Sequence, residues 1–356
     1  MNKKAYLCLE DGTLFQGKSF GAEGTVVAEL VFNTAMSGYL ETLTDPNCYG
    51  QIVLQTFPLI GNYGIIPEDF ESAKPTLCGY IVMDPCDHPS NFRGSSTLHA
   101  FLQEANVVGL YGIDTRALTK HIREHGVMKA VLTTDPEKAT IDTIKNNATN
   151  VFSADFSVKE IKTTNAEANG PRVVLWDFGC KNSIEQSLLE RNATVIRMPI
   201  NSTRDDILAQ KPDALVLSNG PLNPSDAQNI IDELVKLRQD KIPTFGIALG
   251  HQLLALSHGF ALSQLKYGHH GGSQPVLDTK TNRIYITGQN TSAVIDSASI
   301  DSTIATKRFV NSNDGSCEGI DYLNEPAFSV QFYPGACGGP KDTDFLFDRL
   351  FEMMEV

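Results

Sequence analysis

In the second half of the chain, short apolar runs alternate with amphipathic stretches. The apolar runs predict buried strands, and the stretches between them predict helices. The predicted strands are 172–178, 194–198, 214–218, 242–247, 283–287 and 327–332, and the predicted helices are 182–191, 204–210, 225–239, 249–258 and about 344–354. Strands that alternate with helices form a mostly parallel sheet covered on both faces. We therefore expect an α/β domain over residues 172–356.

The first half of the chain has the pattern of a β-rich domain, which we place at residues 1–149. Ala5–Glu10 alternates and runs into the turn pair Asp11-Gly12, which predicts a hairpin. Further strands are predicted at 26–33, 51–55 and 77–83. A helix is indicated over Thr115–Glu124, between an N-cap at Asp114 and a terminating Gly126. A second, polar helix is predicted over residues 136–146. Residues 150–171 are polar and end in Gly-Pro, which indicates a linker.

Composition excludes several classes of function. The net charge is −13, which argues against binding to nucleic acid or to an anionic membrane surface. No apolar run is long enough to span a bilayer, and the first residues lack the apolar region of a signal peptide. The seven cysteines are scattered and form no Cys-x-x-Cys pair, so we expect reduced thiols and a cytoplasmic protein.

One turn has the sequence of a nucleophile elbow but lacks the nucleophile. Residues 246–252 read Gly-Ile-Ala-Leu-Gly-His-Gln, between a predicted strand and a predicted helix. Two glycines flank a sharp turn that exposes the central side chain in such elbows. Here that side chain is the methyl group of Ala248. Ligands of parallel sheets bind beyond the carboxyl ends of the strands, so the candidate site comprises Ala248 and the loops 179–182 and 219–226.

Sequence motifs spread over nearly the whole chain resemble one family. The C-terminal half is similar to class I, triad-type glutamine amidotransferases, and the N-terminal half narrows the resemblance to the small subunit of carbamoyl-phosphate synthetase. The C-terminal motifs are Leu217–Pro221, Gly246–Gln252, Tyr267–Gly271 and Gln331–Pro334. The N-terminal motifs are Val31–Thr34, Met36–Tyr39, Leu43–Pro46, Gly50–Val53, Ile60–Gly64, Ser90–Arg93 and Gly112–Arg116.

The resemblance implies one subunit of a cytoplasmic heterodimer. Small subunits of this family hydrolyse glutamine with a Cys-His-Glu triad. Their ammonia passes to a large subunit, which makes carbamoyl phosphate for arginine or pyrimidine synthesis. ATP and Mg²⁺ belong to the large subunit, so no cofactor is expected in this chain. The pair His269-His270 lies in a family loop that binds no metal, so we expect no metal site.

The residues that the resemblance assigns to the triad are all replaced. The cysteine position is Ala248, the histidine position is Tyr333 and the glutamate position is Gly335. A thiolate must attack the amide to form a thioester, which alanine cannot do. A phenol also cannot shuttle protons near neutral pH as an imidazole does. We therefore predict that glutaminase activity is lost.

The glutamine pocket implied by the resemblance has also diverged, which makes glutamine binding doubtful. Leu222 replaces a glycine and would intrude on the substrate, while Ser292 and Ala293 replace a glycine and an aromatic residue. In the N-terminal domain, Asn47 replaces a serine that contacts glutamine. The retained pocket residues are Gly220, Leu249, Gln252 and Asn290, with the Leu249 N–H as the oxyanion donor.

Three hypotheses follow. The first is a non-catalytic small subunit that still binds its large subunit. The second is an active glutaminase that uses other residues, for which Cys180 and Cys337 are the available thiols; His251 is interpreted as structural. The third is a free-standing pseudoenzyme with a binding or regulatory role.

Overall fold

A computed structural model of the chain describes residues 3–147, 156–167, 169–335, 339 and 341–354. The chain divides into two compact units, one of residues 1–152 with 266–272 and one of residues 153–265 with 273–356. Cys337 and part of the predicted linker lie outside the described residues. The fold is mixed α/β, as predicted, with a strand-rich N-terminal unit.

The first unit is a closed β-barrel. Its described strands are β1 (Lys4–Leu9), β2 (Leu14–Gly21), β3 (Thr25–Asn33), β4 (Ile52–Gln55), β6 (Gly79–Val82), β8 (Val108–Tyr111) and β9 (Met128–Thr133). They follow the order β1-β2-β8-β6-β4-β3-β9, and β9 pairs with β1 to close the ring. A separate ladder joins β5 (Leu59–Ile60) to β7 (Asp84–Pro85).

Within the described part of this unit, four α-helices accompany the barrel: α1 (Tyr39–Thr44), α2 (Leu98–Glu104), α3 (Thr115–His125) and α4 (Ile141–Asn146). Helix α3 begins where predicted, because the Asp114 carboxylate accepts the Ala117 N–H at 2.8 Å. The polar helix predicted in residues 136–146 is confirmed over residues 141–146 only. Residues 136–138 form a 3₁₀ turn, and α4 starts separately because the Thr140 hydroxyl caps it by accepting the Thr143 N–H.

The second unit is built on one ten-stranded sheet of described strands, in the order β10-β12-β11-β13-β14-β19-β18-β16-β15-β17. The strands are β10 (Lys162–Thr164), β11 (Arg172–Trp176), β12 (Thr194–Met198), β13 (Ala214–Leu217), β14 (Thr244–Ile247), β15 (Leu262–Asp278), β16 (Arg283–Ile295), β17 (Ala305–Asn311), β18 (Cys317–Tyr322) and β19 (Ala327–Val330). The helices are α5 (Asn182–Glu190), α6 (Arg204–Ala209), α7 (Gln228–Leu237), α8 (Leu249–Ser257) and α9 (Phe345–Met354).

The central part of this sheet is parallel, as the alternating pattern predicts. Strands β12, β11, β13, β14 and β19 are parallel neighbours, with apolar clusters on both faces. The antiparallel extension is larger than predicted, because β15, β17 and β18 had no counterpart in the prediction. Residues 162–164, inside the predicted linker, pair with β12 at the sheet edge. Helix α7 is shorter than predicted, with 3₁₀ turns at 224–226 and 238–240.

Candidate functional site

The candidate site lies where four parallel strands end side by side. Chain segments 177–182, 218–222 and 331–335 follow β11, β13 and β19, and Ala248 follows β14. Since β13, β14 and β19 are adjacent and parallel, their carboxyl ends meet at one edge of the sheet. The topology thus brings together Ala248, Tyr333 and the predicted loops.

The elbow backbone is present although its nucleophile is absent. Ala248 has φ 52° and ψ −105°, a conformation that a residue with a Cβ rarely adopts. Its N–H donates to the Val330 carbonyl at 2.8 Å, and the Gly250 N–H donates to the Ser218 carbonyl at 3.0 Å. These bonds fix the turn to β19 and β13. The strained geometry of an elbow is therefore retained around a methyl group.

The two glycines of the elbow are required by close backbone contacts. A Cβ on Gly250 would lie 2.2 Å from the Leu217 carbonyl oxygen, and one on Gly246 would lie 2.8 Å from the Gly250 carbonyl oxygen. Neither clash can be relieved by a side-chain rotation, because the opposing atoms are backbone. The glycine pattern that predicted the elbow has a steric cause.

Ala248 lies in an apolar environment. It is 1% exposed and belongs to a buried cluster that includes Cys180, Phe332 and Tyr333. Leu249 is the first residue of α8, so its N–H is outside the bonding of the helix itself. The oxyanion donor that the resemblance implies is thus placed beside the elbow, with no nucleophile for it to serve.

The Tyr333 side chain, at the predicted histidine position, forms a cation–π contact. The Lys181 ammonium lies 3.7 Å from the centroid of the Tyr333 ring, and both residues are buried. The Tyr333 N–H donates to the Gly288 carbonyl at 2.9 Å, which holds this segment against β16. The sequence placed Lys181 in the candidate loop 179–182 but indicated no role for it, although a lysine in a loop after a buried strand was a signal that could have drawn attention to it.

The glutamate position offers little room for a side chain. A Cβ on Gly335 would lie 3.0 Å from the Ser187 hydroxyl oxygen and 3.6 Å from the Phe347 ring. The Ser187 hydroxyl donates to the Ser183 carbonyl on α5. A side chain at residue 335 would therefore require the Ser187 hydroxyl on α5 to move by a few tenths of an ångström.

The Gln252 amide is engaged within the protein. Its Nε2 atom lies 2.9 Å from the Gln331 Oε1, 2.9 Å from the Ala293 carbonyl and 3.3 Å from the Thr291 hydroxyl. Three acceptors surround a group that carries two protons. Ser292 and Ala293 are half-buried on β16. This amide is thus committed to intramolecular bonds in the structure.

Leu222 is buried in the apolar cluster that also contains Leu249 and Leu253. Gly220 cannot be replaced without movement, because a Cβ there would lie 2.0 Å from the Phe178 carbonyl oxygen. Beside it, the buried Asn219 amide donates to the Gly179 carbonyl and accepts the Lys181 N–H, each at 3.0 Å. These bonds join the loops after β11 and β13.

The other predicted site residues occupy different surroundings. Asn290 is half-buried on β16. Asn47 lies in the first unit, in a 3₁₀ turn where its N–H donates to the Asp45 carboxylate at 2.9 Å. Cys180, a candidate substitute nucleophile, is buried with its thiol 3.3 Å from the Lys181 carbonyl.

His251 is buried on α8, where its Nδ1 lies 2.7 Å from the Ser329 hydroxyl oxygen on β19. Its Nε2 is buried and has no hydrogen-bond partner among the residues that the structure describes. Burial lowers the pKa of this imidazole to about 3, because the charged form would lose its hydration. The geometry agrees with the structural interpretation of His251.

A carboxylate network that the sequence did not reveal supports the loop after β11. The Asp177 carboxylate accepts the N–H groups of Gly179 and Cys180 at 2.9 and 2.7 Å. It also accepts the Arg197 Nε–H at 2.9 Å, and Arg197 reaches Glu185 on α5. These charges raise the pKa of the Arg197 guanidinium. The network fixes the backbone that carries Lys181.

Over the part of the chain that the structure describes, no three His, Cys, Asp or Glu side chains are arranged to hold a metal ion. Over the same residues, no helix has the length and apolar character needed to cross a membrane.

Comparisons with known proteins agree with this two-part architecture. Residues 7–132 match the family model described as carbamoyl-phosphate synthase small chain, CPSase domain. Residues 174–353 match the model described as glutamine amidotransferase class-I. A solved glutamine amidotransferase from Thermotoga maritima is 18% identical, with a TM-score of 0.38, over 47% of this chain and 76% of that one.

Curated relatives match over the full length. A carbamoyl phosphate synthase small chain from Staphylococcus haemolyticus is 42% identical over 100% of this chain and 97% of its own. Small chains from Syntrophotalea carbinolica and Listeria monocytogenes are also 42% identical, each over 99% of this chain and over 98% and 97% of their own. The chain therefore belongs to the carbamoyl phosphate synthase small chain family.

Proposed function

We propose that this chain is a non-catalytic small subunit of carbamoyl-phosphate synthetase. It binds the large subunit, and the complex makes carbamoyl phosphate from free ammonia instead of glutamine. The observation that carries the proposal is Ala248, which stands in an intact elbow backbone at the position of the nucleophile. Loss of a triad nucleophile alone lowers rates by about six orders of magnitude in a well-studied protease.

The surroundings of the elbow support the same conclusion. Lys181 lies over the Tyr333 ring, where the family mechanism needs an imidazole. Gly335 provides no carboxylate, and its Cβ position is crowded by Ser187. Restoring one residue would therefore leave the proton-transfer groups absent.

The hydrogen bonds within the pocket support a loss of glutamine binding in addition to the loss of catalysis. The Gln252 amide is bonded to Gln331 and Ala293. A glutamine ligand that bonds to the Gln252 amide would have to displace these buried hydrogen bonds, which is unfavourable for buried polar groups. We expect glutamine to bind weakly or not at all.

The retained architecture favours assembly as the surviving role. Both family domains are matched, and the barrel, the parallel sheet and the elbow glycines are all present. Binding a partner requires a folded surface and no triad.

The test combines the purified chain with its large subunit. We expect the two proteins to co-purify, and the complex to form carbamoyl phosphate with ammonium but not with glutamine. The matched control is the complex of an intact small subunit from a relative, which should use both donors in the same assay. Glutamine-dependent synthesis at a rate near that of the control would refute the proposal.

Two further outcomes separate the alternatives. Ammonia release from glutamine, with a covalent adduct of an electrophilic glutamine analogue at Cys180 or Cys337 in mass spectra, would support an active glutaminase. Failure to bind the large subunit would support a free-standing pseudoenzyme.

A further inference from the structure

An almost fully exposed aromatic side chain projects from the first unit. Phe92 is 98% exposed and lies in the segment of residues 86–96, called here the Phe92 loop. A large apolar side chain left in water forfeits the stabilisation that burial would give it. Aromatic side chains are enriched at protein interfaces, where they bury a large apolar area in a pocket of the partner.

The Phe92 loop is held firmly by the segment 58–66. The N–H groups of Cys86 and Ser90 donate to the carbonyls of Ile60 and Asn62 at 2.8 and 2.9 Å. Further along, the loop exchanges two backbone bonds with Ile65, which accepts from Ser95 at 2.9 Å and donates to Ser96 at 3.1 Å. The loop is therefore a fixed platform and not a loose connection.

Close packing of two glycines strengthens this platform. A Cβ on Gly94 would lie 2.9 Å from the Tyr63 carbonyl oxygen, and Gly64 has φ 73° with the Ser96 carbonyl 3.0 Å from its Cβ position. Within the loop, the N–H groups of Arg93 and Gly94 bond to Asn91. Phe92 is thus presented on a defined backbone, so a partner that binds it has little conformational entropy to remove.

The Phe92 loop and the segment that holds it carry a net negative charge. The segments 58–69 and 84–96 together contain four acidic residues, Glu68, Asp69, Asp84 and Asp87, against the single arginine Arg93. Arg93 itself pairs with Asp69, with 3.8 Å between Nη1 and Oδ1. Two further exposed apolar side chains, Leu59 and Met83, lie on or next to the adjoining β5–β7 ladder. These segments thus combine exposed apolar side chains with an excess of acidic residues, called here the acidic rim.

We infer that the Phe92 loop is an anchor for the large subunit, which inserts Phe92 into an apolar pocket bordered by basic side chains. This inference rests on the proposed function for the identity of the partner. Charge complementarity supports the choice: a second copy of this chain carries a net charge of −13 and would bring like charges together. The same charge disfavours nucleic acid and anionic lipid as occupants.

The test compares Phe92→Ala with Leu14→Ala in the full-length chain. Leu14 is a second exposed apolar residue of the same unit, 55% exposed on β2. We expect Phe92→Ala to raise the Kd for the large subunit by about tenfold or more, as for an interface anchor. Leu14→Ala should leave the Kd unchanged. Both variants should keep the wild-type melting temperature. Asp87→Lys should slow association severalfold, because the rim would lose its complementarity.

The outcomes distinguish the inference from the proposed function. If the wild-type chain binds the large subunit and Phe92→Ala binds equally well, the anchor assignment is wrong and the proposed function stands. If the wild-type chain does not bind the large subunit, both fail. If Phe92→Ala instead dissociates a homodimer in sedimentation experiments, the occupant is a second copy and the inference is overturned.

Discussion

At Ala248, a backbone conformation that serves a nucleophile persists without one. With φ 52° and ψ −105°, the residue occupies a region that costs roughly 1–3 kcal/mol for any side chain with a Cβ. In an active enzyme of this fold, that strain exposes the attacking atom. Under the proposed function this strain has no catalytic use, and its remaining effect is on stability.

We predict that Ala248→Gly is tolerated far better than Ala255→Gly, a matched substitution inside the helix α8 that follows Ala248. Both residues are at most 1% exposed and lose the same methyl group. At residue 255 glycine should lower the free energy of unfolding by about 2 kcal/mol, from helix propensity and lost burial. At residue 248 relief of the positive φ should offset most of this loss, which leaves the free energy within about 1 kcal/mol of wild type.

Urea denaturation followed by the fluorescence of Trp176, the single tryptophan of the chain, provides the measurement. Trp176 is fully buried in the second unit and therefore reports on the unit that contains both substitutions. Equal losses for the two variants would show that Ala248 is not strained.

The sequence located the site residues that belong to a recognisable motif, but it could not show which side chains contact each other in the fold. The motif around Gly246 and Gly250 located the elbow because backbone clashes leave only glycine there. The Lys181–Tyr333 contact could not be predicted, because the two residues come from different strands and meet only when β11 and β19 lie in one sheet.

Among the elements, α8 is joined to β19 by a buried polar contact. The His251 Nδ1 and the Ser329 hydroxyl oxygen are 2.7 Å apart. Burial keeps the imidazole neutral, with a pKa of about 3. Because the folded-state pKa is below the unfolded value of about 6.5, the unfolded chain binds a proton first as the pH falls. The neutral His251 therefore costs the fold nothing at neutral pH. As the pH falls from about 6.5 to about 3, the free energy of unfolding decreases because only the unfolded chain can protonate this histidine.

We predict that acidification from pH 7 to pH 5 costs the wild-type second unit about 2 kcal/mol more than it costs the His251→Gln variant. Glutamine stays neutral over this range and can still bond to the Ser329 hydroxyl. The free energies of unfolding from urea titrations at the two pH values, again with Trp176 fluorescence, give the comparison. Parallel changes in the two proteins would mean that His251 does not remain neutral and buried.

The sequence predicted the strands that are strongly apolar. It did not predict strands whose extended conformation depends mainly on hydrogen bonds to neighbouring strands. Strands β11 to β14 are continuous apolar runs that are buried on both faces, and all were found. Strand β15 contains several glycines and a proline and is largely exposed along its first residues. Its extended conformation comes from its neighbours in the sheet, which a local pattern does not contain.

On the scale of the whole molecule, the division into units is not sequential. Residues 266–272 of β15 belong to the first unit, where the Val127 N–H donates to the Lys266 carbonyl at 3.0 Å and Tyr267 packs near Phe32. A linker sequence can mark only a boundary between two contiguous domains, so it gives no sign that residues 266–272 belong to the first unit. Closure of the barrel was equally hidden, because it depends on the pairing of β1 with β9, which lie at opposite ends of the barrel's sequence.

The source of nitrogen is a property of the assembled complex. If this chain supplies no ammonia, the large subunit must take NH₃ from solution, and only the unprotonated fraction of ammonium can react as a nucleophile. At a fixed, subsaturating total ammonium concentration, carbamoyl phosphate synthesis should therefore rise by up to about tenfold per pH unit below the ammonium pKa, on top of any pH dependence of the large subunit itself.

The isolated large subunit is the matched control and should show the same slope, since this chain adds no titrating step. Saturating glutamine should leave the rate and the slope of the complex unchanged. A glutamine-dependent rate that varies little with pH would instead show that ammonia is produced within the complex, and would contradict the assignment of this chain as a non-catalytic subunit.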